Sequence, residues 1–158
     1  MLQRIQTLYL AVAALAGILL FFFPLASFYN EMEGNYKLFI YGIKCMDPEP
    51  KVAFGTFFTI PLVFFAAVSV IFSLSAIVLF KNRPRQNRLC TFNILTNIVF
   101  LMVVFFFYIT RIKGLTLTEP EYNYVGMCLP LISLAVLVLA SRAIRKDEAL
   151  VKSADRLR

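Results

Sequence analysis

The sequence predicts an all-α membrane protein built as a bundle of four transmembrane helices. Hydrophobic residues make up 60% of its 158 residues and charged residues 16%, whereas soluble domains are roughly half apolar and a quarter charged. The apolar residues are concentrated in four long runs, and most of the cations lie between or after these runs. Together these observations exclude a soluble fold.

The four runs are the predicted spans of a single membrane domain. They cover residues 8–28, 53–80, 89–109 and 124–141, and each is near or above the roughly 17–25 residues that a membrane helix needs. Lipid offers the backbone no hydrogen-bond partner, so each run is expected to be helical. We expect the first run to be retained, because it exceeds the ~7–15-residue apolar core of a cleaved signal peptide.

The distribution of Lys and Arg predicts the orientation. The loop 81–88 contains Lys81, Arg83, Arg85 and Arg88. With Arg4 and the six cations of the tail 142–158, this side has eleven, whereas the loops 29–52 and 110–123 have five. Cytoplasmic loops are enriched in cations, so both termini are expected in the cytoplasm. Cations placed beside apolar spans indicate contact with anionic lipid rather than nucleic acid.

The longer outer loop contains a segment that favours β structure. "YKLFIYGIKCM" (36–46) is rich in β-formers and is interrupted by Gly42, which favours one or two short strands. In the other outer loop, "RIKGLTLT" (111–118) alternates Leu and Thr near its end. The two loops could share a small sheet, or both could be loosely ordered. Segments this short favour neither alternative.

Both ends of the chain resemble a known family. "QRIQTLYL" (3–10) and "AIRKDEALVKSADRLR" (143–158) are similar to the end signatures of small four-span proteins of the bacterial inner membrane, a family described only as a domain of unknown function. The resemblance implies this architecture and this membrane. It brings no activity, substrate or cofactor.

The residue types argue against an enzyme, a pump or a metal protein. The chain has no histidine, and no span contains a charged residue, although proton relays and ion-coupled transporters depend on such residues. Cys45, Cys90 and Cys128 are scattered along the chain and include no C-x-x-C pair. We expect no cofactor. Cys45 and Cys128 either form a disulfide or are two free thiols, and the sequence allows both alternatives.

Polar residues within the second and third spans predict interhelical packing. Asn93 and Asn97 are four positions apart and share a helix face. Asn97 lies about 12 Å along the third span and Ser73 about 11 Å along the second, counted from the cytoplasmic loop. These antiparallel neighbours can therefore meet and exchange hydrogen bonds.

Aromatic residues and prolines share the outer half of the predicted membrane. Kinks at Pro24, Pro61 and Pro130 at one level would open a cavity lined by aromatic rings. Ordinary packing of phenylalanine accounts for the same pattern. The residues assigned to this lipid cavity are Phe22, Phe58, Pro61, Phe106 and Pro130.

The tail lacks Gly and Pro and pairs Glu148 with Lys152 at helical spacing, so the last helix is expected to continue into the cytoplasm. It would either lie on anionic lipid or dock on protein, including the chain's own Arg83, Arg85 or Arg88. The residues assigned to docking are Asp147, Glu148, Val151, Ala154, Asp155 and Leu157.

These patterns predict a non-enzymatic structural or interaction subunit. Its expected partners are membrane lipids together with another protein or a second copy of the chain. The alternative function is a binder of a lipid or isoprenoid in the outer aromatic cavity.

Overall fold

Helices form most of the molecule. The computed structural model describes residues 2–29, 34–46, 54–55 and 57–156, with side chains from residue 5 to residue 151 except that of Lys81. Its α-helices are α1 (Leu2–Leu19), α2 (Ile60–Val78), α3 (Arg83–Met102), α4 (Thr110–Thr116) and α5 (Tyr124–Arg156). A π-helical segment, Val103–Ile109, joins α3 to α4.

Three helical runs are long and apolar enough to cross a membrane. They are Ile60–Val78, Arg83–Thr116 and Tyr124–Val151, and Ile5–Leu19 is a shorter apolar helix. α1 packs against α2 and α5, and α3 packs against the same two helices. Each of the four long helices therefore contacts the helices next to it in a closed ring.

Helix α1 ends well before residue 28, where the sequence predicts the end of the first span. After Leu19, the amides of Phe21 and Phe22 bond to carbonyls three residues back, which tightens the chain into a turn. Pro24 follows and offers no amide to continue the helix. The kinks at Pro24 and Pro61 that an aromatic cavity would require do not occur. Pro24 lies outside α1, and Pro61 occupies the first turn of α2, where a missing N–H costs nothing.

A four-stranded antiparallel sheet caps one end of the bundle. Its strands are β1 (Ala26–Phe28), β2 (Tyr36–Phe39), β3 (Gly42–Cys45) and β4 (Pro120–Tyr122), in the order β3-β2-β1-β4. The hairpin of β2 and β3 falls within the segment that the sequence favours for strands, and Phe39 pairs with Gly42 at its turn. β1 lies within the predicted first span, so that part of the prediction is wrong.

The second outer loop also differs from its prediction. Residues 110–116 are helical, and the strand that joins the sheet is β4, a few residues later. Extending an existing helix adds one hydrogen bond per residue without a new nucleus, so the helix continues beyond the apolar run. It ends at Leu117, whose left-handed φ of 50° breaks the helical path.

Two apolar cores lie at opposite ends of the bundle. The sheet-end core contains large side chains from the sheet and the helix ends, including Phe28, Tyr36, Leu62, Phe100 and Tyr108. The loop-end core, near the loop 81–88, is made mostly of smaller side chains. Its members are Leu10, Ala13, Ala76, Cys90, Leu137, Ala140 and Ile144.

The start of α5 packs directly on the chain that follows α1. A Cβ built on Gly126 would lie 2.0 Å from the carbonyl oxygen of Pro24 and 3.3 Å from the Cα of Leu25. Backbone on both sides leaves no side chain that can move away. Glycine at this position therefore lets α5 approach the segment that leads into β1.

Candidate functional site

Buried polar side chains connect α2 to α3 between the two cores. Asn93 Nδ2 donates to Ser73 Oγ at 2.8 Å and to the Ser69 carbonyl at 3.1 Å. Asn97 Nδ2 donates to Ser69 Oγ at 2.9 Å and to Asn93 Oδ1 at 3.1 Å. The structure thus brings together Ser73, Asn93 and Asn97, the residues that the sequence assigns to packing of these helices.

A small enclosed space adjoins this polar layer on the side of α5. Ser69, Asn97 and Ser133 contribute polar atoms to its lining, and its volume is 10 Å³. Organic ligands occupy pockets of about 300–1,000 Å³, whereas about 10–15 Å³ suits one water. The space beside the polar layer therefore has room for about one water molecule and not for an organic ligand, so the polar side chains serve helix packing.

At the loop end, the tail meets the basic loop. Arg83 Nε lies 3.1 Å from Asp147 Oδ2, and the two side chains are only 23% and 11% exposed. This oxygen accepts no hydrogen bond, so the contact is an ion pair without hydrogen-bond geometry. The structure thus brings one acid of the tail to the chain's own loop, a contact that the sequence left open beside docking on another protein.

Side chains also bridge helices at the same end. Gln6 Nε2 donates to the Ala143 carbonyl at 3.3 Å, which joins α1 to α5. Gln86 Nε2 donates to the Ala76 carbonyl at 3.0 Å, which joins α3 to α2. These amides bond to backbone oxygens of a neighbouring helix and hold the helices together at the loop end.

The remaining residues assigned to the loop and the tail are dispersed. Arg85 and Arg88 are exposed on α3. On α5, Glu148 is half-buried and Val151 is exposed. The side chains of Lys81, Ala154 and Asp155, and all of Leu157, lie outside the described residues.

The structure does not bring together the residues assigned to the outer aromatic cavity. Phe22 and Phe106 are 70% and 77% exposed and point away from the core. Phe58 stacks at the edge of Tyr108, with ring centroids 5.0 Å apart. Pro130 is buried within α5, and Pro61 lies exposed at the start of α2. Phe58 and Phe106 thus line two different open pockets, of 230 Å³ and 320 Å³, so within the described residues the assigned set does not share one cavity.

Sequence reasoning missed a groove beside Arg111. This arginine belongs to a predicted outer loop but lies on α4, in an open groove of 320 Å³ that also contains Phe106 and Phe107. The spacing of four between Phe107, Arg111 and Leu115 predicts that they share a helix face, which a loop assignment conceals. It does not predict that this face points outward.

A family comparison covers nearly all of the sequence. Residues 2–157 match the family described as "Domain of unknown function (DUF4293)". The chain belongs to the DUF4293 family. The match includes the first end segment, 3–10, and all but the last residue of the second, 143–158. No curated protein matches this DUF4293 protein.

The cysteines of this DUF4293 protein are separate from one another. Cys45 lies on β3, Cys90 is buried in the loop-end core, and Cys128 is exposed near the start of α5. All three are free thiols, and Cys45 and Cys128 are not joined. In the described part of the chain, no three His, Cys, Asp or Glu side chains group in a way that suits a metal ion.

Proposed function

We propose that this DUF4293 protein spans the bacterial inner membrane four times, with both termini in the cytoplasm, and acts as a non-enzymatic structural or interaction subunit. Support for a fourth span comes from α1, which has 18 residues and is about 27 Å long. It contacts Ala143 of α5 through Gln6 and approaches Val70 of α2 at Gly17. α1 therefore runs beside helices that are long enough to cross.

The positions of arginines support the orientation. Arg88 and Arg111 are 23 positions apart on the continuous run Arg83–Thr116, which corresponds to about 34 Å. This distance slightly exceeds the ~30 Å hydrocarbon core of a bilayer. The pair can thus lie at the two headgroup levels, with the more strongly basic loop end on the cytoplasmic side.

The length of α5 is the observation that carries the interaction role. This helix has 33 residues and is about 50 Å long, whereas a span needs about 20 residues. If the tail lay on the membrane surface, the chain would have to change direction where it leaves the bundle, and the helix would be interrupted there. α5 continues without interruption to Arg156, and the proline inside it, Pro130, lies near its start. The tail is therefore expected to project into the cytoplasm.

The projecting part of α5 is held at its base and presents apolar side chains. The Arg83–Asp147 ion pair and the buried Ile144 fix the helix where it leaves the bundle. Beyond them, Leu150 and Val151 are 50% and 40% exposed. Apolar surface outside lipid is stabilised when another protein covers it, so we expect a protein partner or a second copy to dock there.

Photo-crosslinking in the native membrane tests the interaction role. A photoreactive residue at position 151 of the full-length protein should crosslink to protein, whereas one at Leu139, exposed within the span, should crosslink mainly to lipid. Asp147→Asn should lower the yield at position 151, because the base of the tail loses its ion pair. The role is contradicted if deletion of residues 146–158 leaves the crosslinked neighbours of the bundle unchanged.

Reporter fusions test the membrane placement separately. Fusions at residue 85 and at the C-terminus should report cytoplasm, and a fusion at residue 47 should report the outside. A fusion at residue 85 that reports the outside would reverse the orientation.

A further inference from the structure

The groove on the outer face of the helical run 103–116 combines apolar and cationic walls. Its six lining residues are Phe106, Phe107, Thr110, Arg111, Gly114 and Leu115, and its volume is 320 Å³. Phe106 and Phe107 are 77% and 53% exposed. One end of the groove is thus aromatic, and the arginine follows one helical turn later.

Contacts with neighbouring elements indicate the depth of this groove. Tyr108 Oη donates to the Phe58 carbonyl at 2.6 Å, and the Phe105 ring packs on Tyr122 with centroids 6.0 Å apart. Residues 105–108 therefore lie level with Phe58, just before α2, and with Tyr122 of β4, just before α5. Arg111, three residues beyond Tyr108, lies about 4.5 Å further out. In the proposed membrane this is the level of the outer headgroups.

The π-helical segment determines which side chains face the groove. Buried positions follow each other at intervals of four at Phe100, Val104, Tyr108, Ile112 and Thr116. At 3.6 residues per turn, an inward stripe from Val104 would drift toward Arg111 and Leu115. The wider turns of Val103–Ile109 keep Ile112 inside instead. Arg111 and Leu115 consequently face outward, above Phe106 and Phe107.

The groove contains a cation that has no ion-pair partner in the described part of the structure, and enough space beside it for an anion. Lys113 Nζ, two residues from Arg111, pairs with Glu119 at 2.6 Å. Among the described residues, Arg111 has no ion-pair partner. A Cβ on Gly114 would meet nothing within 4 Å, so the absence of a side chain there keeps the groove from being filled.

We propose that this groove binds one anionic phospholipid of the outer leaflet. The lipid phosphate contacts the Arg111 guanidinium, whose planar donors suit phosphate oxygens, and an acyl chain lies against Phe106 and Phe107. The assignment rests on the proposed membrane placement, because only that placement brings Arg111 to the headgroup level. It shares a lipid ligand and Phe106 with the alternative function, but it places the lipid in a different groove and adds the phosphate contact at Arg111.

Native mass spectrometry of the full-length protein, reconstituted in equal parts phosphatidylglycerol and phosphatidylcholine, tests this site. The parent should retain phosphatidylglycerol in preference to phosphatidylcholine. Arg111→Gln should lower that preference about fivefold, the effect expected for one arginine at an anionic surface. Lys113→Gln is the matched control, since it removes an exposed but paired cation from the same helix, and it should keep the preference.

A second variant tests the shape of the groove. Gly114→Leu should displace the lipid while Arg111 stays in place and the far-ultraviolet circular dichroism is unchanged. Equal retention of the two lipids by the parent, or an equal loss in Lys113→Gln and Arg111→Gln, would overturn the site. Crosslinks from position 106 to another protein span would also overturn it. The reporter at residue 85 separates a wrong orientation from a wrong site.

Discussion

The two ends of the bundle are packed with side chains of different size. At the loop end, Ala13, Ala76 and Ala140 are almost completely buried beside Leu10 and Leu137. Small side chains let helix backbones approach closely, which is how helices associate in lipid. At the sheet end, large aromatic side chains from the strands and the helix ends are buried instead. Its largest buried side chains are Tyr36, Tyr108 and Phe28.

Polar bonding differs in the same way. At the loop end, Gln6 and Gln86 donate side-chain amides to carbonyls of neighbouring helices. At the sheet end, backbone groups pair with backbone in the sheet, and Tyr108 donates to the Phe58 carbonyl. The two ends are thus held by different kinds of hydrogen bond: side chain to backbone at the loop end, and mainly backbone to backbone at the sheet end.

The largest effect is expected at the sheet end from Gly126→Ala. The new Cβ would lie 2.0 Å from the Pro24 oxygen, so α5 must move away from the segment that leads into β1. We expect the free energy of unfolding in mixed micelles to fall by about 3 kcal/mol, at the upper end of overpacking costs. Denaturant titration followed by circular dichroism measures it.

Gly114→Ala is the matched control for this variant. A Cβ there meets nothing within 4 Å, and alanine favours a helix over glycine by about 0.5–1 kcal/mol. The control should be neutral or stabilising. Equal destabilisation of the two variants would show that the approach of α5 to Pro24 does not constrain the sheet end.

Ala140→Leu tests the loop end by enlarging a small residue. Ala140 is 0% exposed in the loop-end core, and a larger side chain separates α5 from its neighbours. We expect a loss of about 2 kcal/mol in the same titration. Leu139→Ala, at an exposed neighbouring position, should cost well under half as much. A neutral Ala140→Leu would indicate that close approach is not what stabilises this end.

The smallest effect is expected from Asn93→Ala in the polar layer between the ends. The change removes the bonds to Ser69 and Ser73. Each interhelical bond in lipid contributes about 0.6 kcal/mol on average, so the loss should be about 1 kcal/mol. Thr96→Ala is the control, because the Thr96 hydroxyl donates to Phe92 in its own helix. If the two variants are equally stable, the hydrogen bonds between α2 and α3 do not contribute to the free energy of unfolding.

Sequence patterns predicted those parts of the fold that depend on neighbouring residues. The β2–β3 hairpin follows from β-formers around Gly42, and the continuation of the last helix follows from a tail without Gly or Pro. The strand β1 was missed because Ala26–Phe28 are as apolar as the span before them. Apolar residues indicate that a segment is buried. In a run of three residues they do not show whether the buried segment is a strand or a helix.

Candidate sites were predictable to different degrees for a similar reason. The meeting of Asn93 with Ser73 follows from counting residues along two antiparallel helices, since both helices have the same rise. The groove at Arg111 does not follow, because it depends on the π-helical segment, which alters the face of every later residue. The ion pair of Arg83 with Asp147 was one of several pairings that charge alone allowed.

By itself, the sequence determined that the chain forms long apolar helices with cations concentrated at one end, because hydropathy and charge are properties of the residues. Only the tertiary structure decided where α1 stops, which strands join the sheet and which way Arg111 faces. These features depend on contacts between segments far apart in the chain, such as Gly126 with Pro24 and Phe28 with Pro120. Such contacts are selected by shape and backbone hydrogen bonding, which no local pattern of residues encodes.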